Sequence, residues 1–253
     1  MSYRPSVYNA APLLHFNQRE HSVEMLVIHS MAHEAVEGIA RLDELGLSAH
    51  YVIDFDGAVW QCVSEEDRAW HAGVSLWQGL DDINSRSIGI EVCHNSLGQS
   101  KFGRRQIKAL TGLCHEIIER WNIERHMVVG HSDIAPTRKP DPGKAFPWEE
   151  LAAEGIGIWY GKQFSEETNV IKMLSDIGYD TKDVGAAAYA FCRHFLPTKV
   201  KTMPVRRLLD NPYPKNCDEL LSSPDFIRAL QNIYAQYIET IYQLKRSYFI
   251  RNF

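Results

Sequence analysis

Two short stretches bring together side chains that can share a metal. V-I-H-S, from Val27 to Ser30, carries His29. G-H-S-D-I-A-P-T-R-K-P-D-P-G, from Gly130 to Gly143, carries His131 and Asp141. Two neutral imidazoles and one carboxylate suit zinc, and three protein donors leave the fourth tetrahedral position open for water. An open position separates a catalytic zinc from a structural one. The expectation from these residues is a zinc hydrolase.

Rigid elements must hold such donors. Met25-Leu26-Val27-Ile28 is a short apolar run that reads as a buried strand, with His29 at its end. Met127-Val128-Val129 is a second such run, and His131 follows directly after Gly130. Asp141 lies in a loop stiffened by Pro136, Pro140 and Pro142, each with a fixed φ. A lone histidine at a strand end is usually a hydrogen-bonded core or rim residue. The three donors together favour the metal.

Further stretches surround these in a fixed order: S-A-H-Y-V-I-D, A-W-H-A-G, N-S-R-S-I-G-I-E and F-P-W-E-E-L-A-A-E-G-I-G. The ordered set, covering roughly residues 20 to 160, resembles the N-acetylmuramoyl-L-alanine amidases of the AmpD/AmiD type. Their larger group includes phage T7-type lysozyme and the peptidoglycan recognition proteins. The last stretch, Phe146 to Gly157, points to the AmiD branch, which carries an additional C-terminal helical module. The resemblance implies a mixed α/β fold, Zn2+ as cofactor, and peptidoglycan fragments or murein as substrate.

Carried over position by position, the family's zinc ligands fall on His29, His131 and Asp141, its catalytic glutamate on Glu91 and its active-site lysine on Lys139. Relatives that use a cysteine ligand carry an active-site tyrosine where this chain has Ala49, so the chain follows the glutamate and aspartate version. The chemistry agrees. Zinc makes hydroxide available near neutral pH. A glutamate can take the water's proton and later protonate the leaving amine. The ammonium of Lys139 suits the negative oxygen of a tetrahedral intermediate. Outside the motif, Glu91 would read as a strand-end residue and Lys139 as a solvated loop charge.

The resemblance also assigns a substrate cleft. His71 and Trp70 in A-W-H-A-G are expected to line it, with His71 hydrogen-bonding the sugar or the intermediate. Asn84 falls on a position that contacts the stem peptide. Where these enzymes often carry an arginine two residues earlier, this chain has Asp82, and Arg86 is the candidate to bind the peptide carboxylates instead. His50 reads as structural, and His33 and His94 match no ligand.

The whole chain sets bounds on these expectations. At 253 residues, 45% hydrophobic and 23% charged, it has the composition of an ordinary globular protein. No apolar run approaches the ~18 residues of a membrane span. A net charge of −5 disfavours nucleic acid, which wants a basic face. The N-terminal stretch lacks the charged and apolar regions of a signal peptide, and five dispersed cysteines suit reduced thiols. The expected location is cytoplasmic as written, or periplasmic if an export signal was removed.

Ser48 to Val63 alternates around Asp56-Gly57 as a hairpin does. Ser87 to Val92 reads as a strand, and Arg104 to Trp121 as a helix with Ile107, Leu110, Leu113, Ile117 and Trp121 on one face. Past Gly161 the pattern turns helical. Ser165 is expected to open one helix, Thr181 a second that Pro197 stops, and Ser223-Pro224-Asp225 a third. In the third, Ile227, Leu230, Tyr234, Tyr237, Ile241, Leu244 and Tyr248 form a heptad seam. Packing onto the other helices is the first reading of that seam, self-association the alternative. The fold class is α/β: a mixed sheet flanked by helices, as in peptidoglycan recognition proteins, followed by a small all-helical domain. The expected division is a zinc amidase domain at 1–162 and a helical, peptidoglycan-binding-like domain at 163–253. The competing function is a receptor that binds peptidoglycan without catalysis. Such relatives typically lose the third ligand, which Asp141 supplies here.

Overall fold

The computed structural model describes residues 8–252, with side chains described as far as residue 243. The strands are β1 (Asn9–Ala10), β2 (Phe16–Gln18), β3 (Met25–Met31), β4 (Tyr51–Ile53), β5 (Val59–Gln61), β6 (Asp67–Ala69), β7 (Ser87–Cys93) and β8 (Val128–Gly130). The helices among and just after these strands are α1 (Ala35–Glu44), α2 (Ile83–Arg86), α3 (Arg104–Trp121), α4 (His131–Ile134) and α5 (Trp148–Ala153). The C-terminal helices are α6 (Val170–Ile177), α7 (Val184–Phe195), α8 (Val205–Asp210), α9 (Asp218–Leu221) and α10 (Pro224–Asn252).

Six strands form one sheet in the order β1-β5-β4-β7-β3-β8, and β2 pairs with β6 in a separate two-stranded ribbon. The pairs β4·β7, β7·β3 and β3·β8 are parallel, while β4·β5 is the antiparallel hairpin expected around Asp56-Gly57. Parallel strands are covered on both faces and therefore read as near-continuous apolar runs. Every residue of β3 is buried, as are six of the seven in β7, Glu91 being half-buried. Side chains alternate across the sheet. Leu26, Ile28, Ile88, Ile90 and Tyr51 share a core with Leu110, Leu113 and Ile117 of α3. His29, Gly89 and Glu91 fall at the other parity, on the opposite face.

The core does not stop where the C-terminal helices begin. One contiguous cluster joins the sheet residues to Met173, Leu174 and Ile177 of α6, Phe191 and Phe195 of α7, and Phe226, Leu230 and Tyr237 of α10. Trp77, almost fully buried, makes edge-to-face contacts with Tyr179 at 5.1 Å and Tyr237 at 6.4 Å between ring centroids. The described portion of the heptad seam lies inward, with Leu230, Tyr234 and Tyr237 buried; Leu244 and Tyr248 lie outside the described side chains.

Two helix starts differ from expectation. Asn169, not Ser165, caps α6 by accepting the Lys172 N–H (3.0 Å), and Asp183, not Thr181, caps α7 by accepting the Ala186 N–H (2.9 Å). Ser165 instead closes a local turn, accepting the Glu167 N–H at 3.0 Å. The five cysteines are all free and buried. Burial pushes the thiols of Cys62 and Cys192 up to about 12, and raises those of Cys93, Cys114 and Cys217. Among the described residues no helix is long and apolar enough to cross a membrane.

Candidate active site

The C-terminal halves of β3 and β7 and the end of β8 converge on one point. His29 sits on β3, in register with Glu91 on β7. His131 is the first residue of α4, directly after β8. The sheet thus delivers two imidazoles and a carboxylate to one face.

Asp141 reaches the same point from a loop held on three sides. Its carbonyl accepts the Ser132 N–H at 2.8 Å, and Ala145 N–H donates to the Gly98 carbonyl at 2.8 Å. Residues 97–98 and 142–143 touch backbone to backbone. A Cβ on Gly98 would lie 1.7 Å from the Pro142 carbonyl oxygen, and one on Gly143 (φ +96°) 2.2 Å from that of Leu97. His94, which matches no ligand, builds this contact by accepting the Gly98 and Ser96 N–H groups at 3.0 and 3.2 Å on Nδ1.

The donor atoms form a triangle. His29 Nδ1 lies 2.8 Å from His131 Nδ1 and 3.4 Å from Asp141 Oδ2, and His131 Nδ1 lies 3.0 Å from Asp141 Oδ2. All three residues are buried. A tetrahedral zinc with nitrogen and oxygen donors at ~2.0–2.1 Å has donor–donor edges of about 3.3–3.4 Å. The triangle fits a small divalent cation after a slight expansion. Burial, and then the neighbouring His131, lower His29 to about 4, so its ring is neutral and able to donate a lone pair. Burial works to raise Asp141, yet His131 and His29 beside it hold the carboxyl well below the usual range. The charge and donor chemistry are those of a cation site.

Glu91 stands beside the triangle. Its Oε1 is 4.0 Å from His29 Nδ1, and its Oε2 is buried without a hydrogen-bond partner. Burial, and then the charge of Asp141, raise it to about 8, with Lys139 opposing. A carboxyl tuned near neutrality can both take and return a proton. Lys139 is half-exposed, and its charge acts on both Glu91 and His29. Among the described residues its ammonium has no ion-pair partner.

The residues expected to line a cleft are distributed differently. His71 lies against a proposed ligand: its Nδ1 is 2.9 Å from His29 Nε2 and its Nε2 3.3 Å from Ser87 Oγ, so both ring nitrogens are engaged inside the protein. Asn84 Oδ1 accepts the N–H groups of His71 and Ala72 at 2.9 and 2.7 Å. Trp70 is half-buried and donates to Asn17 Oδ1 at 2.6 Å. Arg86 does not stand free to receive a peptide carboxylate. It pairs with Glu24 at 2.7 Å and donates to the Asp81 carbonyl at 3.0 Å. Asp82 carries the guanidinium of Arg68 at 2.7 Å. His50 accepts the Gly89 N–H at 2.9 Å and lies 2.7 Å from Arg19, a structural placement, while His33 pairs with Glu37.

Sequence reading missed Asp133, two residues after His131. Its Oδ2 accepts from Gly130 N–H at 2.7 Å and His194 Nδ1 at 2.8 Å, and its Oδ1 from Tyr179 OH at 2.9 Å. The local signal was present, an aspartate in the first turn of a helix where it caps the start. The partners from α7 and the loop before it were not.

Two buried histidines and a carboxylate converging beside a second carboxyl, one of whose oxygens is buried without a partner, make the arrangement of a hydrolase site. A family model described as N-acetylmuramoyl-L-alanine amidase matches residues 19–144. The amidase AmiD of Escherichia coli (strain K12) is 35% identical over 209 residues, 70% of this chain and 76% of AmiD. A solved AmiD complex from E. coli superposes with a TM-score of 0.67 at 31% identity, covering 86% of this chain and 89% of that one. AmpDh3 from Pseudomonas aeruginosa gives a TM-score of 0.69 at 26% identity, covering 94% and 99%. The chain belongs to the N-acetylmuramoyl-L-alanine amidase family, and its fold is the one the ordered motifs implied.

Proposed function

We propose that His29, His131 and Asp141 hold one zinc ion, and that the protein hydrolyses the amide between the lactyl group of N-acetylmuramic acid and L-alanine in peptidoglycan fragments. The AmiD structure is a complex with the substrate anhydro-N-acetylmuramic acid-L-Ala-D-gamma-Glu-L-Lys, which supports that substrate class here. The observation that carries the catalytic reading is the Glu91 carboxyl, in register with His29 and with its Oε2 buried and unpartnered. A structural carboxylate in that position would have found a donor.

Zinc, when bound, lowers the pKa of water and polarises the scissile carbonyl. Glu91 takes a proton from the attacking water as the new C–O bond forms. The ammonium of Lys139 faces the negative charge that develops on the former carbonyl oxygen. Glu91 then returns its proton to the amide nitrogen as the C–N bond breaks. The carboxyl proton left from the water passes to the amine, and the products are a lactyl carboxylate and the ammonium of L-alanine.

A receptor without catalysis would not need Asp141, Glu91 and Lys139 together, and this chain carries all three. The helical stretch 163–253 serves, on this reading, as a docked companion of the catalytic stretch 1–162, since one core runs through both. Glu91→Gln tests the chemistry. It should keep zinc and substrate affinity while the rate on muropeptides falls by roughly 10²–10⁴. Loss of zinc in that variant would make Glu91 a ligand, and an unchanged rate would move the base elsewhere. Mass spectrometry of products from anhydro- and reduced muropeptides identifies the bond cut and the preferred sugar.

A further inference from the structure

Every hydrogen on the outer side of the donor triangle can be placed from groups that have no choice. A backbone carbonyl only accepts. Ser87 Oγ lies 2.6 Å from the Ile83 carbonyl and therefore spends its one hydrogen there. Toward His71 Nε2, at 3.3 Å, it can only accept. His71 thus carries its hydrogen on Nε2 and presents a bare Nδ1. That nitrogen is 2.9 Å from His29 Nε2, which must be the donor. His29 then has its lone pair on Nδ1, at the triangle. His131 is fixed by a shorter route, because its Nε2 lies 3.2 Å from the Ala72 carbonyl and donates to it.

We infer that His71 is a positioning residue: with Ser87 behind it, it sets the tautomer and ring angle of His29, while the carbonyl of its neighbour Ala72 does the same for His131. The segment His71-Ala72 supplies both outer partners, one by side chain and one by backbone. Asn84 clamps that segment by accepting both of its N–H groups. Gly89 leaves the room, since a Cβ there would lie 2.5 Å from His71 Cγ. The result is two bare ring nitrogens and a carboxylate oxygen facing one another with no hydrogen between them. Outer partners of this kind raise the basicity of the inner nitrogen and fix its direction. His71 acts through His29, with both of its ring nitrogens engaged inside the protein.

The inference rests on His29 and His131 being zinc ligands, and the experiment separates the two. Zinc affinity is measured by chelator competition on the full chain, for wild type, His71→Ala and His71→Asn. An Asn carbonyl oxygen can stand where Nδ1 stood. His71→Ala should weaken zinc binding by about 10–100-fold, and His71→Asn should recover most of it. The zinc-free proteins should melt within a few degrees of one another. If wild type binds no zinc, the ligand assignment fails. If wild type binds but His71→Ala matches it, only the role of His71 fails. Equal loss in Ala and Asn variants also overturns it, because that pattern reports lost ring volume. Should His71→Ala not fold, Ser87→Ala serves instead. It frees the His71 tautomer and should weaken zinc binding less but in the same direction, and unchanged affinity would overturn the proposal.

Discussion

The sheet region and the C-terminal helical region share one core but use their buried polar groups in opposite ways. In the sheet region the interior polar side chains converge: His29, His131 and Asp141 face one point, with Glu91 beside them and His71 behind. In the helical region two of them reach toward the sheet, one from α7 and one from the loop between α6 and α7. Tyr179 OH and His194 Nδ1 both end on Asp133, in the same short helix as His131. His194 is also stacked on Trp148 at 3.9 Å between ring centroids. One region makes a site and the other braces it. Neighbourhood in sequence says little about which residues serve the chemistry, because the brace comes from 46 and 61 positions away.

That contrast can be broken from the site side first. Asp141→Ala should abolish zinc binding and drop muropeptide hydrolysis to background, while helical circular dichroism stays at the wild-type level. Full activity in a thoroughly chelated sample would remove the metal from the scheme. From the helical side, His194→Ala leaves Asp133 short of a partner and opens space beside Trp148. The expected cost is about 3 kcal/mol, a fall in Tm of roughly 6–12 °C for a chain of this size. Tyr179→Phe removes one hydrogen bond at about 1 kcal/mol, roughly 2–4 °C. Both should also loosen zinc. A lower Tm with wild-type zinc affinity would make the helices a passenger of the site. The smallest effect is expected on the outer face of α10, where Tyr242 is 62% exposed. Tyr242→Ser should move stability by no more than ~0.5 kcal/mol, and sedimentation before and after should match. A shift toward smaller species would bring self-association back.

The strands and the meeting of His29, His131 and Asp141 were legible because apolar runs ending in histidine have few other uses, and because the ordered motifs named the third donor. The start of α10 at Pro224 was legible from local chemistry. The starts of α6 and α7 were not. Several residues near each could cap, and Ser165 was drawn into a turn with Glu167 while Asn169 took the cap. Arg86 illustrates a different limit of local reading. A free-looking arginine in sequence found Glu24 across 62 positions, and nothing local announced that pairing. His71 was visible as a member of the site, but its partner could be read only once β3 and β7 were side by side.

The buried cysteines turn this division into something that can be timed. A thiol reacts as its thiolate, and burial keeps these five protonated and shielded. A soluble alkylating reagent therefore modifies none of them until the surrounding structure opens, and each modification rate reports a local opening free energy. Cys62, Cys93 and Cys114 lie in the sheet region, Cys192 and Cys217 among the C-terminal helices. Peptide mapping of the order in which they are alkylated dates the opening of each region separately, with no label introduced. If the shared core makes the two regions one cooperative unit, all five clocks run at one rate.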